Sequence, residues 1–136
     1  MTAALSPRLR AVADALPIRP GMRVLEIGSG TGALARELVR RGCDVVAIDR
    51  SPRAHAIATR DAEAGGPDFR DVAIEDFVLD DGEAPFDLVV AVRVGSLDGR
   101  HPADAALARI ADVLNDEGRV LVEAGGTLRE IHARHH

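Results

Sequence analysis

Apolar residues follow two rhythms along this chain, short unbroken runs and longer stretches at helical spacing, and the two alternate. Ser6 and Pro7 open the first helical stretch, to Leu16, with a capping serine, a first-turn proline, and Leu9, Val12, Ala13 and Leu16 on one face. Pro17 to Gly21 ends it. Val24, Leu25 and Ile27 then form a short run that stops in glycines, which suits a buried strand feeding a tight loop. A helix from Thr31 to Arg41 turns Leu34, Leu38 and Val39 inward and is closed by Gly42. Val45 to Ile48 predicts a second strand ending at Asp49, and Ser51 and Pro52 open a helix from Arg53 to about Ala64. Gly65, Gly66 and Pro67 break the chain before a third strand, around Phe69 to Ala73. An acidic loop, Asp80 to Pro85, precedes a fourth, Phe86 to Val92. A helix from Pro102 to Leu114 carries Leu107, Ile110, Val113 and Leu114 at helical spacing, and Asn115 to Gly118 turns it into a fifth strand, Arg119 to Glu123.

Continuous apolar strands separated by helices require cover on both faces, so the pattern predicts an α/β fold: a doubly wound parallel sheet of about five strands with right-handed crossovers and strand order 3-2-1-4-5. With 136 residues the chain is expected to form a single domain over residues 1–136. The apolar fraction of 46% beside 29% charged residues fits a soluble globular protein. No run approaches the ~18 apolar residues of a membrane span. The first ten residues lack an apolar core behind a basic front, so the expected location is the cytoplasm.

Charge and rare residues narrow the chemistry further. The net charge is −5 and the 17 basic residues, all arginine, are scattered, so no nucleic-acid partner is expected. Cys43 is the sole cysteine, which excludes an intrachain disulfide and a multi-cysteine zinc site and leaves a buried apolar thiol. His132, His135 and His136 have no carboxylate or thiol partner in sequence, so no metal is expected there.

In an open parallel sheet, ligands bind beyond the carboxyl ends of the strands, where strand order reverses. The first strand ends there in Glu26-Ile27-Gly28-Ser29-Gly30-Thr31-Gly32. Glycines let the chain turn sharply and a ligand approach the backbone, while the next helix offers free N–H groups. Asp49, at the end of the following strand, can accept hydrogen bonds from both hydroxyls of a ribose; the plainer alternative is a turn aspartate capping the helix at Ser51. Nicotinamide folds favour G-x-G-x-x-G, whereas this loop runs Gly28-x-Gly30-x-Gly32 into Ala33 and Leu34.

Val24-Leu25-Glu26-Ile27-Gly28-Ser29-Gly30-Thr31-Gly32 resembles the first motif of class I S-adenosylmethionine-dependent methyltransferases, and Val46-Ala47-Ile48-Asp49 resembles the second. Phe86-Asp87-Leu88-Val89-Val90 is similar to the fourth-strand motif. Leu114 to Val122 resembles the turn into the fifth strand, with Asn115-Asp116-Glu117-Gly118 where lysine-proline-glycine-glycine is common. The likeness spans Gly21 to Glu123 and implies a Rossmann-like methyltransferase fold with S-adenosylmethionine as cofactor. It further implies that Glu26 lies near the methionine amino group, that Gly28, Ser29, Gly30 and Gly32 line the cofactor, that Asp49 holds the ribose, and that Arg50 lies beside the adenine. Where the family usually meets the adenine amino group with Asp, this chain has Ala73, leaving Glu75 or Asp76 as a substitute, or the Ile74 backbone as the reader.

The resemblance implies seven strands where the pattern here yields five, with Gly125 to His136 expected to supply a short helix. The two sheet edges are then the third strand, guarded by Asp68, Arg70 and Asp71, and the fifth, where Val120 to Val122 lie bare unless a helix from Thr127 covers them. A homodimer or partner protein is expected at that edge. Methyl transfer is an in-line displacement, served by aligning the reactants and sometimes by a base. Candidates lie after the fourth strand: Arg93, either an anchor for an acidic acceptor or a surface ion pair, then Asp98, and His101, a base or a solvent-facing histidine. The expected activity is methyl transfer to an unidentified small-molecule acceptor; the alternative is a non-catalytic module or subunit that binds S-adenosylmethionine or S-adenosylhomocysteine.

Overall fold

A computed structural model of the chain describes residues 5–60, 62–92 and 104–133. The elements follow in the order α1 (Pro7–Ala15), β1 (Arg23–Ile27), α2 (Ala33–Arg40), β2 (Asp44–Asp49), α3 (Pro52–Arg60), β3 (Asp68–Asp71), a 3₁₀ turn (Ile74–Asp76), β4 (Phe86–Val92), α4 (Asp104–Val113), β5 (Leu114–Ala124) and β6 (Thr127–Ile131). They form one sheet in the order β3-β2-β1-β4-β5-β6. The first five strands are parallel, in the predicted order, and β6 is antiparallel to β5.

Alternation along the parallel strands divides the core in two. Val24, Val45, Ala47, Leu88, Val90 and Leu121 pack under α1 and α2, against Val12, Leu16, Leu34 and Leu38. Leu25, Ile27, Val46, Ile48, Val89, Val120 and Val122 pack on the opposite face against Ile110 and Val113 of α4 and against Ile74 and Phe77. Cys43 is buried in the first cluster, as expected of an apolar thiol, and burial pushes its pKa up. Among the described residues, no helix is long and apolar enough to cross a membrane.

Several expectations are corrected. The segment after Gly126 is a strand rather than a helix. Gly125 and Gly126 have φ of 60° and 84°, which L side chains avoid and a tight two-residue hairpin turn requires. Ala124 therefore pairs with Thr127, and the ladder runs to Val120 opposite Ile131. Among the described residues the sheet has six strands, and the β5 edge on which the dimer expectation rested is covered by β6, with Arg119 and Glu130 paired across the hairpin at 2.8 Å. The third strand stops at Asp71 rather than Ala73, because Ile74–Asp76 curl into the 3₁₀ turn that buries Ile74. Helix α3 stops at Arg60 rather than Ala64. The predicted fifth strand lies within β5, whose pairing jumps from Phe86↔Leu114 to Leu88↔Arg119, so the expected turn residues Asn115 to Gly118 form an irregularity beside Asp87.

Candidate functional site

At the carboxyl ends of β1, β2 and β4 lies a cleft of about 430 Å³. The predicted site residues Glu26, Gly28, Ser29, Gly30, Asp49, Arg50, Ile74 and Glu75 all line it. Sequence reasoning missed Arg8 and Leu9 of α1 and Val92, which close one end, and Thr31, Ala33 and Leu34, which continue the glycine loop into α2. No local signal marks Arg8, since its place depends on α1 folding across the sheet. Arg93, Asp98, His101, His135 and His136 lie outside the described residues.

The loop is held by backbone bonds. The amides of Gly28 and Ser29 donate to the Ile48 carbonyl at 2.9 and 3.1 Å, and the Gly30 amide donates to Asp49 Oδ2 at 2.9 Å. Asp49 Oδ1 accepts from the Ser51 amide at 2.8 Å. Both readings of Asp49 thus hold geometrically: it makes the turn that starts α3, and it faces the cleft. Each carboxylate oxygen keeps a second lone pair for a ligand hydroxyl. Gly30 has φ of +56°, and a Cβ built there meets no atom within 4 Å, so its flank is open.

Gly32 is the one predicted cofactor glycine that does not line the cleft. Its φ is +88°, and a Cβ would lie 2.6 Å from the Phe69 ring. Arg36 stands over that ring at 5.4 Å and donates to the carbonyls of Thr31 and Ala58 at 2.8 and 2.7 Å. Gly32 therefore serves the packing of the loop on β3 and α3. No side chain caps α2, which leaves its first-turn amides without a side-chain partner.

Glu26 is 2% exposed on the α1/α2 face of β1, and its Oε1 has no hydrogen-bond partner. Burial, then the nearby Asp49 carboxylate, raise its pKa from 4.5 to about 8, against a smaller opposing effect of the Ala35 backbone. An acid sunk in the wall of a cleft with an unpaired oxygen is costly and calls for a cationic or donor ligand. That requirement, with Glu26, Asp49 and Glu75 outnumbering Arg8 and Arg50 in the lining, fits a ligand carrying a sulfonium and an ammonium group. The unpartnered Glu26 oxygen disfavours the pyrophosphate of a dinucleotide beside it. Asp76, the other candidate near the adenine position, is exposed and not part of the lining.

A broader depression of about 690 Å³ lies at the opposite ends of the strands. Its Asp87 is already engaged, accepting from the Arg23 amide at 2.9 Å and the Asn115 side chain at 2.6 Å.

Comparison with known proteins gives a consistent answer. A family model described as a methyltransferase domain matches residues 2–134. The ubiquinone biosynthesis O-methyltransferase of Azorhizobium caulinodans is 36% identical over 115 residues, covering 80% of this chain and 43% of that protein. The demethylmenaquinone methyltransferase of Beutenbergia cavernae is 36% identical over 113 residues, covering 83% of this chain and 45% of that protein. Among solved structures, an S-adenosylmethionine-dependent methyltransferase from Thiobacillus denitrificans, in complex with S-adenosylhomocysteine, superposes with a TM-score of 0.67 at 27% identity over 86% of this chain and 48% of that one. The chain spans about half the length of the curated relatives it matches. By its strand order, by its glycine loop with the acid beyond it, and by a family match over nearly its whole length, the chain belongs to the class I S-adenosylmethionine-dependent methyltransferases.

Proposed function

We propose that this chain performs methyl transfer from S-adenosylmethionine to a hydroxyl group of a small, quinone-type ring. The observation that carries the cofactor part is Glu26, buried and with an unpaired oxygen in the wall of an acid-lined cleft at the end of the glycine loop. The names of the relatives support the acceptor class.

The bound cofactor supplies a methyl group activated on a sulfonium. Glu26 would receive its ammonium group and Asp49 its ribose hydroxyls, with the open flank of Gly30 leaving room for it beside the backbone. Ile74, Glu75 and Arg50 bound the adenine end. Gly32 acts from behind by holding the loop against Phe69. On the acceptor side Arg93 would anchor a substituent of the ring and His101 would take the proton of the acceptor hydroxyl. Most of the rate gain comes from alignment and exclusion of water.

Calorimetry with S-adenosylmethionine, S-adenosylhomocysteine and NAD tests the cofactor part, the first two binding and the third not. Transfer of a radiolabelled methyl group to a panel of catechols and demethylated quinols tests the acceptor. Binding of NAD without S-adenosylhomocysteine would refute the assignment, and labelling of a carbon rather than an oxygen would refute the hydroxyl acceptor. Arg93→Ala and His101→Ala are expected to reduce turnover while leaving cofactor affinity nearly intact, and normal turnover in both removes them from the acceptor side.

A further inference from the structure

Glu123 is, beside Glu26, the second buried carboxylate among the described residues, 1% exposed at the end of β5, opposite Val92 of β4 in register. By alternation it points to the same face as Glu26. Its Oε1 accepts from Arg8 Nη1 at 2.9 Å, and its Oε2 has no partner. Placing a carboxylate among Val92 and Leu121 does nothing for the core that an apolar residue of similar volume would not do better. What it does is fix a cation. Arg8 is the residue of α1 whose charge lines the cleft, and the bond crosses from helix to sheet over 115 positions of sequence.

The two ends of the cleft differ in kind. Val72, Ala73 and Ile74 give one end an apolar lining, edged by Glu75. Toward the β4 and β5 side, Arg8 and Glu26 line the same cleft, one basic and one acidic; Glu26 Oε1 has no partner, and Arg8 reaches Glu123 through Nη1. Arg8 and Leu9 also belong to the first turn of α1, so the positive end of that helix is turned the same way. A cation and an anion side by side complement a zwitterion, such as an α-amino acid, whose carboxylate a guanidinium binds in a fixed fork.

We infer that Glu123 is a positioning residue that holds Arg8 over the amino-acid end of the cleft, so that Arg8 takes the ligand's α-carboxylate while Glu26 takes its α-ammonium. This rests on the reading of the cleft as the S-adenosylmethionine site. Arg8 is thereby a determinant of ligand choice, favouring ligands that keep the amino-acid group over nucleosides that lack it.

Calorimetry with S-adenosylhomocysteine and with 5′-methylthioadenosine, which has the same nucleoside but no amino-acid group, separates this role from a structural one. Arg8→Ala and Glu123→Leu should each weaken S-adenosylhomocysteine about tenfold and change methylthioadenosine less than about twofold. The double variant should be no weaker than Arg8→Ala, since both changes remove one contact. Equal weakening of both ligands, or unchanged S-adenosylhomocysteine affinity, overturns the inference. If Glu123→Leu does not fold, Glu123→Gln serves with the same pair of ligands, and an unchanged ratio of affinities overturns it. A wild-type protein that binds neither ligand refutes the cofactor assignment itself, and this inference with it.

Discussion

Replacing Glu26 by glutamine should make the empty protein more stable and the cofactor site weaker, and the size of the first effect follows from burial. In the folded chain the carboxyl holds its proton up to about pH 8, whereas the unfolded chain releases it near 4.5. The folded state therefore binds more protons than the unfolded state across that interval, and stability falls as pH rises through it. At about 1.4 kcal/mol per pH unit, the stretch from 4.5 to neutral pH is worth about 3 kcal/mol. The amide of the Glu26→Gln variant has the same shape and nothing to ionise, so the unfolded chain loses that gain. Denaturant unfolding of both proteins from pH 4.5 to 9 measures it. The variant and wild type should nearly coincide at the acid end, and the variant should lead by about 4 kcal/mol at pH 8. A gap that does not change with pH, or a variant that is the less stable at pH 8, would refute the assignment of a buried, destabilised acid. The same burial predicts that S-adenosylhomocysteine binding, by pairing the carboxylate with an ammonium, releases a proton near pH 7. Calorimetry in buffers of different ionisation enthalpy reads this directly, and Glu26→Gln should abolish the release.

Asp49→Ala removes the acceptor for the Gly30 and Ser51 amides as well as the ribose contact, so S-adenosylhomocysteine should weaken by more than about 1.4 kcal/mol, or tenfold, with a smaller loss of stability; unchanged affinity in a folded variant sinks the role. The two loop glycines should differ in ligand affinity rather than in strain. Gly32→Ala drives a Cβ toward the Phe69 ring at a φ of +88° and should cost about 1–3 kcal/mol of stability by thermal unfolding; Gly30→Ala meets no atom, so beyond the strain of its φ of +56° it should cost ligand affinity by calorimetry. Glu83 is held down to about pKa 2, chiefly by its hydrogen bond from Arg70, with the Asp80 amide and Arg23 adding to it. Its contribution is present above pH 4.5 and lost as pH falls toward 2, so Glu83→Gln should lower stability by about 1–2 kcal/mol at pH 7, with the difference from wild type closing in acid.

The sequence by itself determined the parts of this protein that are written in local rhythm. Unbroken apolar runs at Val24 to Ile27, Val45 to Ile48 and Phe86 to Val92 can be covered only from both sides, which dictates parallel strands, crossover helices and a ligand cleft at the carboxyl ends. Because the glycine loop and Asp49 sit at fixed offsets from those strand ends, Gly28, Ser29, Gly30 and Asp49 could be placed at the cleft from sequence, whereas Gly32 could not be told from them. The hairpin was signalled but not read, since the segment beyond it was expected to be a helix. Gly125-Gly126 between Val120 to Val122 and Thr127 to Ile131 is a two-residue turn signal, but the flanking strand is mostly polar, so its weak alternation reads poorly without the partner edge that pairs it.

What only the tertiary structure decided are the meetings between distant segments. Gly32 carries the same motif weight as Gly30, yet only the approach of Phe69 from β3 separates a packing glycine from a cleft glycine. Glu26 reads as one more motif acid until burial under α2, beside Asp49, gives it an unpaired oxygen and a displaced pKa. Arg8 and Glu123 lie at opposite ends of the chain with nothing local to mark either. Such properties arise from dielectric, proximity and shared space, which no stretch of sequence contains until the chain has closed on itself.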